Sequence, residues 1–153
     1  MFFYVHAIAD HRPIGIFDSG IGGMTVAHAV NELMPNESIV YFGDTAHLPY
    51  GDKSKDLIKQ YTGRIAEWLI AKDCKAVIVA CNTASAYGFD AVEEACNQAS
   101  ISCFNVVDPV VEHVAEFLPD SKIGVIGTKG TISSRVYLNR LKKLAPEIKA
   151  VSA

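Results

Sequence analysis

Apolar residues in this chain fall in compact runs separated by stretches of helical spacing. Ile14-Gly15-Ile16-Phe17, Ile39-Val40-Tyr41-Phe42, Ala76-Val77-Ile78-Val79-Ala80, Ile101 to Val106 and Ile123-Gly124-Val125-Ile126 have strand length and strand composition. Met24 to Leu33 reads as a helix ended by Pro35. Leu57, Ile58, Tyr61, Ile65, Trp68 and Leu69 share one helical face, so about Ser54 to Ala71 is an amphipathic helix. Phe89, Val92, Cys96 and Ala99 mark another. Pro109 opens a helix with Val110, Val111, Val114 and Phe117, and a last helix runs from about Ser133 to Leu144, stopped before Pro146. The unbroken alternation of strand and helix predicts βαβ units. The expected fold is therefore α/β, a three-layer sandwich with a largely parallel sheet.

Ile148-Lys149-Ala150-Val151 reads as one more strand, starting shortly before the sequence ends. A parallel strand normally leads onward, so a truncated chain is expected. No Gly/Ser-rich linker interrupts the pattern; the softest boundary lies at Asn105 to Pro109. Residues 1–12 are a lead-in, apolar but short. They lack the basic region and cleavage pattern of a signal peptide.

Composition narrows the function classes. Of 153 residues, half are hydrophobic and a fifth charged, which suits a globular protein with a real core. The net charge is -3 with no strongly basic stretch, which speaks against a nucleic-acid surface. No apolar run approaches the about 18 residues of a membrane span. The cysteines Cys74, Cys81, Cys96 and Cys103 form no C-x-x-C pair and no zinc-like spacing, so no metal is expected. A reducing cytoplasm follows as the expected compartment. Cys74, Cys96 and Cys103 read as small packing residues.

Four segments, each following a strand, carry candidate chemistry. Cys81-Asn82-Thr83-Ala84-Ser85 puts a thiol at the carboxyl tip of the most apolar strand, where the chain turns into a helix. A helix N-terminus lowers a thiol pKa, so a reactive thiolate able to act as base or nucleophile competes with an inert buried cysteine. Asn82 and Thr83 offer donors for a carboxylate. Asp18-Ser19-Gly20-Ile21-Gly22-Gly23 is either a loop whose free N–H groups bind an anion or simply a tight βα turn. Its spacing is not that of a dinucleotide fingerprint, and a nucleotide-binding domain is a distant reading. Asp18 is a helix cap or a proton-handling acid. Tyr41 to Gly51 is either a function-bearing loop in which Pro49 and Gly51 fix Tyr50 to present backbone groups, or a structured crossover loop with His47 and Asp44 as solvated polar residues, the second reading being preferred for His47 alone. Gly127-Thr128-Lys129-Gly130-Thr131-Ile132-Ser133-Ser134 supplies hydroxyls, with Thr131 or Ser133 as N-cap.

In this order, the four segments closely resemble glutamate racemases of the aspartate/glutamate racemase superfamily, from about Pro13 onward. The resemblance implies cofactor-independent, two-base interconversion of L- and D-glutamate, supplying D-glutamate for peptidoglycan, with no pyridoxal phosphate. It implies Cys81 as one catalytic base, assisted by Asp18, and Ser19, Tyr50, Gly51, Asn82 and Thr83 as substrate-binding positions, with Thr128 and Thr131 as weaker carry-overs. It also implies two similar α/β domains, with the chain returning to complete the first. Residues 13–105 would be the first domain, lacking its returning portion, and 106–153 the start of the second. The family's second cysteine lies in a later Gly-Cys-Thr-His segment that this sequence does not contain. An inactive or impaired chain is expected, with exposed apolar surface and association or swapping between copies. An aspartate or other amino-acid racemase, and a non-catalytic module such as a gyrase binder, are the competing readings.

Overall fold

The structure is a computed structural model that describes residues 10–119 and 121–153. Most of the lead-in at 1–12 thus lies outside the described residues. The elements run β1 (Ile14–Asp18), α1 (Met24–Leu33), β2 (Ile39–Gly43), two 3-10 turns (Thr45–His47 and Tyr50–Asp52), α2 (Lys55–Ala71), β3 (Ala76–Val79), α3 (Asn82–Tyr87), α4 (Phe89–Gln98), β4 (Ser102–Asn105), α5 (Asp108–Phe117), β5 (Lys122–Val125), α6 (Lys129–Ser134), α7 (Val136–Leu144) and β6 (Lys149–Ser152).

The strands form two sheets. β2-β1-β3-β4 is a four-stranded sheet in which every pairing is parallel, and β5 pairs with β6, also in parallel. Side-chain alternation along β1 and β3 divides the first core into two layers. Ile14 and Ile16 of β1, with Ile78 and Ala80, face α1 through Ala27, Val26 and Val30. Phe17, Val77 and Val79 face the other way, onto Ile58, Ile65 and Leu69 of α2, Ala84 of α3 and Val92 and Cys96 of α4. The sheet is therefore covered on both faces, which explains why β1 and β3 read as continuous apolar runs. A separate cluster of Val107, Val111, Leu141, Ala145 and Ile148 joins α5 and α7 to one face of the β5–β6 pair. The other face stays open: Ile126 is 85 % exposed and Val151 69 %. Phe104 of β4 is also exposed.

Two helix boundaries are set by contacts between elements or by backbone conformation. The chain enters α3 directly after Cys81, then interrupts at Gly88 before α4. Thr62 on α2 explains the break. Its side chain is fully buried, its hydroxyl is within hydrogen-bonding distance of the carbonyls of Ile58 and Gly88, and a Cβ at Gly88 would collide with it. Toward the C-terminus, the expected helix from Ser133 is two helices. Arg135 takes a left-handed conformation at φ 56° and separates α6 from α7. The N-cap of α6 is Thr128, whose hydroxyl accepts from Thr131 N–H at 3.3 Å, so neither Thr131 nor Ser133 fills that role.

Two glycines on or beside α2 should respond in opposite directions. Gly88→Ala must displace Thr62, whose Cγ2 would lie 2.9 Å from the new methyl. We expect it to lower unfolding free energy by about 1–3 kcal/mol in urea titrations. Gly63→Ala, with only an ordinary 3.5 Å contact to Ala91, should raise it by up to about 1 kcal/mol through helix propensity.

Candidate active site

β1 lies between β2 and β3. The crossover leaving β1 goes to one side, and β3 returns on the other, so a crevice opens at the carboxyl ends of these two strands. This is where open parallel sheets bind ligands. Asp18 ends β1 and Ser19 follows it; Cys81 follows β3 by two residues. The topology thus brings the first and third candidate segments together, and Cys81 Sγ lies 3.5 Å from Ser19 Oγ.

The thiol is buried, with 6 % of its residue surface exposed, and caps α3 by accepting from Ala84 N–H at 3.5 Å. Sequence reasoning expects a lowered pKa from this helix terminus, and the structure corrects that. Burial dominates and pushes the Cys81 thiol above its ordinary value; nearby Asp18 adds to the rise, while the hydrogen bonds of Ser19 and Ala84 pull the other way without prevailing. The resting group is a thiol. Once ionised, such a group is a stronger base than an ordinary thiolate, which suits removal of a weakly acidic C–H proton.

The glycine loop is built around Asp18, itself buried. One carboxyl oxygen, Oδ2, accepts from the N–H groups of Gly20 at 3.0 Å and Gly23 at 3.2 Å. The N–H groups of Met24, Thr25, Val26 and Ala27 bond to carbonyls of Ile21, Gly22 and Gly23. The expected free donors at the start of α1 are therefore largely occupied from within, and the loop works as a tight turn. Gly23 is required by crowding: a Cβ there would sit 2.6 Å from Asp18 Cβ and 2.9 Å from Ala80 Cβ. The N–H groups of Asn82 and Thr83 at the start of α3 have no acceptor among the described residues.

The long loop after β2 closes one side. Tyr50 is almost fully buried and donates to Asp44 Oδ2 at 2.5 Å; His47 Nδ1 lies 2.7 Å from Asp44 Oδ1 and its ring stacks on Tyr61. Burial, then the Asp44 hydrogen bond, pushes the Tyr50 hydroxyl well up, so it stays protonated. Asp44 is buried, and its N–H bonds to Asp18 O at 2.9 Å. It anchors the loop from inside, so of the two readings open for Asp44 the solvated one does not hold. Tyr41 also ties the glycine loop, donating to Gly20 O at 3.0 Å. Neither role has a sequence signal: Tyr41 reaches Gly20 across 21 residues, and Asp44 gains its partners His47 and Tyr50 only once the loop has folded.

The fourth segment reaches the same place. Thr83, Thr128 and Thr131 form a ring of hydroxyl contacts of 2.8, 3.0 and 3.3 Å. A Cβ at Gly51 would lie 2.8 Å from Thr128 Cβ, so the Tyr50–Gly51 turn packs directly on α6. Tyr137 on α7 donates to Asn82 Oδ1 at 2.6 Å. Hydrogen bonds thus link Thr128 and Thr131 to Thr83, and Tyr137 to Asn82, beside Cys81 at the start of α3. The other thiols lie elsewhere: Cys74 precedes β3 at the opposite end of the strand, and Cys96 and Cys103 sit on α4 and β4. Burial pushes Cys96 up to about 12. No group of three or more His, Cys, Asp or Glu able to hold a metal occurs among the described residues.

Residues 24–152 match the Asp/Glu/Hydantoin racemase family. The chain belongs to that family. Among similar proteins, a glutamate racemase of Geobacter metallireducens is 41 % identical over 141 residues, which is 92 % of this chain and 51 % of that one. A glutamate racemase of Streptococcus thermophilus is 41 % identical over 143 residues, 94 % of this chain and 52 % of that one. The crystal structure of glutamate racemase from Francisella tularensis in complex with D-glutamate superposes with a TM-score of 0.87 at 41 % identity, covering 94 % of this chain and 53 % of that one. The racemase of Aquifex pyrophilus gives 0.84 at 39 % identity, over 92 % and 54 %. The chain thus spans about half the length of the curated relatives it matches, and its fold is the parallel α/β fold of these racemases.

The protonation state of Cys81 is directly measurable. Its iodoacetamide alkylation should be slow at neutral pH and rise with a midpoint above 9.0, the ordinary thiol value. A midpoint below 9.0, followed by mass spectrometry of the Cys81 peptide, would contradict burial as the dominant influence. The sign for stability is the same. A raised thiol pKa contributes stability in full below the unfolded value, and that contribution is lost as pH climbs through the folded one.

Proposed function

We propose that this chain carries one half of the active site of a glutamate racemase, with Cys81 as the base for one face of the substrate. The observation that carries the reading is the convergence of Cys81 with Asp18 and Ser19 in the β1–β3 crevice, in a chain of the racemase family. Racemisation takes the α-proton from one face of the amino acid and returns a proton to the other. In the resting state described above, Cys81 holds its proton and is ready to deliver it to a planar, carbanion-like intermediate. In the reverse direction the thiolate, close to the hydroxyl of Ser19, removes the α-proton. Asp18, held by Gly20 and Gly23, assists that proton movement. The substrate carboxylate binds the N–H groups of Asn82 and Thr83 and the hydroxyl of Ser19; Tyr50 and Gly51 close the site, with Thr128 and Thr131 on its far wall.

On this reading residues 13–105 form the first domain and 106–153 the beginning of a second. The physiological product is D-glutamate for peptidoglycan, made in the cytoplasm without a cofactor. The exposed Ile126, Val151 and Phe104 support association with further protein, a second copy included. No helix among the described residues is long and apolar enough to cross a membrane.

Among the described residues no second thiol faces Cys81. The chain by itself should therefore racemise glutamate about 10²–10⁴-fold more slowly than a two-thiol racemase, the usual contribution of one general base. Polarimetry of L- and D-glutamate, with aspartate run in parallel, measures this. Racemisation at the rate of a full-length relative would refute the one-base account, and turnover of aspartate in preference to glutamate would refute the substrate.

A further inference from the structure

Two parts of the chain, one built on the four-stranded sheet and one on the β5–β6 pair, meet at the crevice. Apart from the turn at Asn105, the side-chain hydrogen bonds that join them among the described residues all end on Asn82 or Thr83, the first two residues of α3. Thr83 is buried within the threonine ring. Asn82 is exposed, and its side chain has one described partner, the hydroxyl of Tyr137. Asp18, Gly22, Asn82, Val110 and Tyr137 together line a cavity of about 390 Å³ beside the carboxyl end of β1.

An asparagine amide has two faces of opposite character. Its nitrogen donates twice, while its oxygen only accepts. A carboxylate ligand beside Asn82 needs the nitrogen; the oxygen would repel it. We propose that Tyr137 is a positioning residue, whose hydroxyl holds Asn82 Oδ1 and so turns the Asn82 amide nitrogen toward the ligand carboxylate. The 2.6 Å contact has the geometry of a strong O–H···O bond. No other described residue accepts from Tyr137, so its proton has one protein outlet. Reversing the amide would leave that proton without a protein acceptor. Burial pushes the Tyr137 hydroxyl above its ordinary value, which keeps the proton in place across the neutral range. The same bond joins α7 to α3, so the position of the second part of the chain sets the donor geometry of the first. The inference rests on the glutamate-site reading and adds to it a residue outside the four sequence motifs.

Tyr137→Phe removes the hydroxyl and keeps the ring, so packing on α7 is preserved. We expect it to weaken D-glutamate binding about 3- to 10-fold by calorimetry, the usual worth of one hydrogen bond. Asn82→Ala should weaken binding at least as much. The double variant should be no weaker than Asn82→Ala alone, because Tyr137 acts only through Asn82. Equal affinity of wild type and Tyr137→Phe, or additive losses in the double variant, would overturn the proposal. A ligand-free readout separates it from the substrate assignment. The Asn82 side-chain amide resonances should shift in the nitrogen-15 spectrum of Tyr137→Phe while other amide side chains stay in place. Unchanged Asn82 resonances would overturn the positioning role. A shift in those resonances, in a wild-type chain with no affinity for glutamate, would support the contact and count against the glutamate reading instead.

Discussion

The placement of β1 between β2 and β3 is the constraint from which the rest follows. Parallel strands require crossovers, and crossovers that depart to opposite sides cannot both cover the carboxyl edge of the sheet. The gap they leave lies at Asp18 on one strand and Cys81 on the other. Ser19, next to Asp18, is 62 positions from Cys81 in sequence, yet Cys81 Sγ and Ser19 Oγ are 3.5 Å apart in space. The thiol, the acid and the hydroxyl need no loop rearrangement to meet, because the register of β1 on β3, Phe17 opposite Val79, fixes them. The geometry of the crevice is a property of the sheet.

Burial gives this site its chemical character. The same packing of Ala84 and Val79 that anchors α3 on the sheet also takes the Cys81 thiol out of water. The helix terminus beside it would favour the thiolate, but desolvation prevails and holds the proton. Asp18 meets a different fate in the same crevice, with two backbone N–H groups aimed at one of its oxygens. The crevice thus sets a thiol denied solvation beside a carboxyl supplied with donors.

The strands and long helices were legible because burial on one or two faces leaves a period in the chain. Ile14 to Phe17 and Ala76 to Val79 are covered on both faces and read as continuous apolar runs, and α2 shows its buried stripe from Ile58 to Leu69. The order of the four motifs points to the family whose model matches residues 24–152, and the fold sets Cys81 beside Ser19, and Thr83 beside Thr128 and Thr131. What could not be read arises across space. The break at Gly88 is dictated by Thr62, 26 residues away. The left-handed turn at Arg135 follows Ser134, which donates to Thr131 O and accepts from Val136 N–H. Asp44 looks like any loop aspartate until Tyr50 and His47 fold onto its two oxygens. For Cys81 the sequence leaves thiolate and buried thiol both open, since a helix start is local and burial is not.

The central claim is that the β1–β3 crevice holds an amino acid with its α-carbon against Cys81. A crystal structure of this chain soaked with D-glutamate tests it most directly. The account predicts the ligand in the crevice, its α-carboxylate on the N–H groups of Asn82 and Thr83 and its α-carbon facing Cys81 Sγ. Glutamate bound away from Cys81, or at the start of α1 with Asp18 displaced from Gly20 and Gly23, would contradict it.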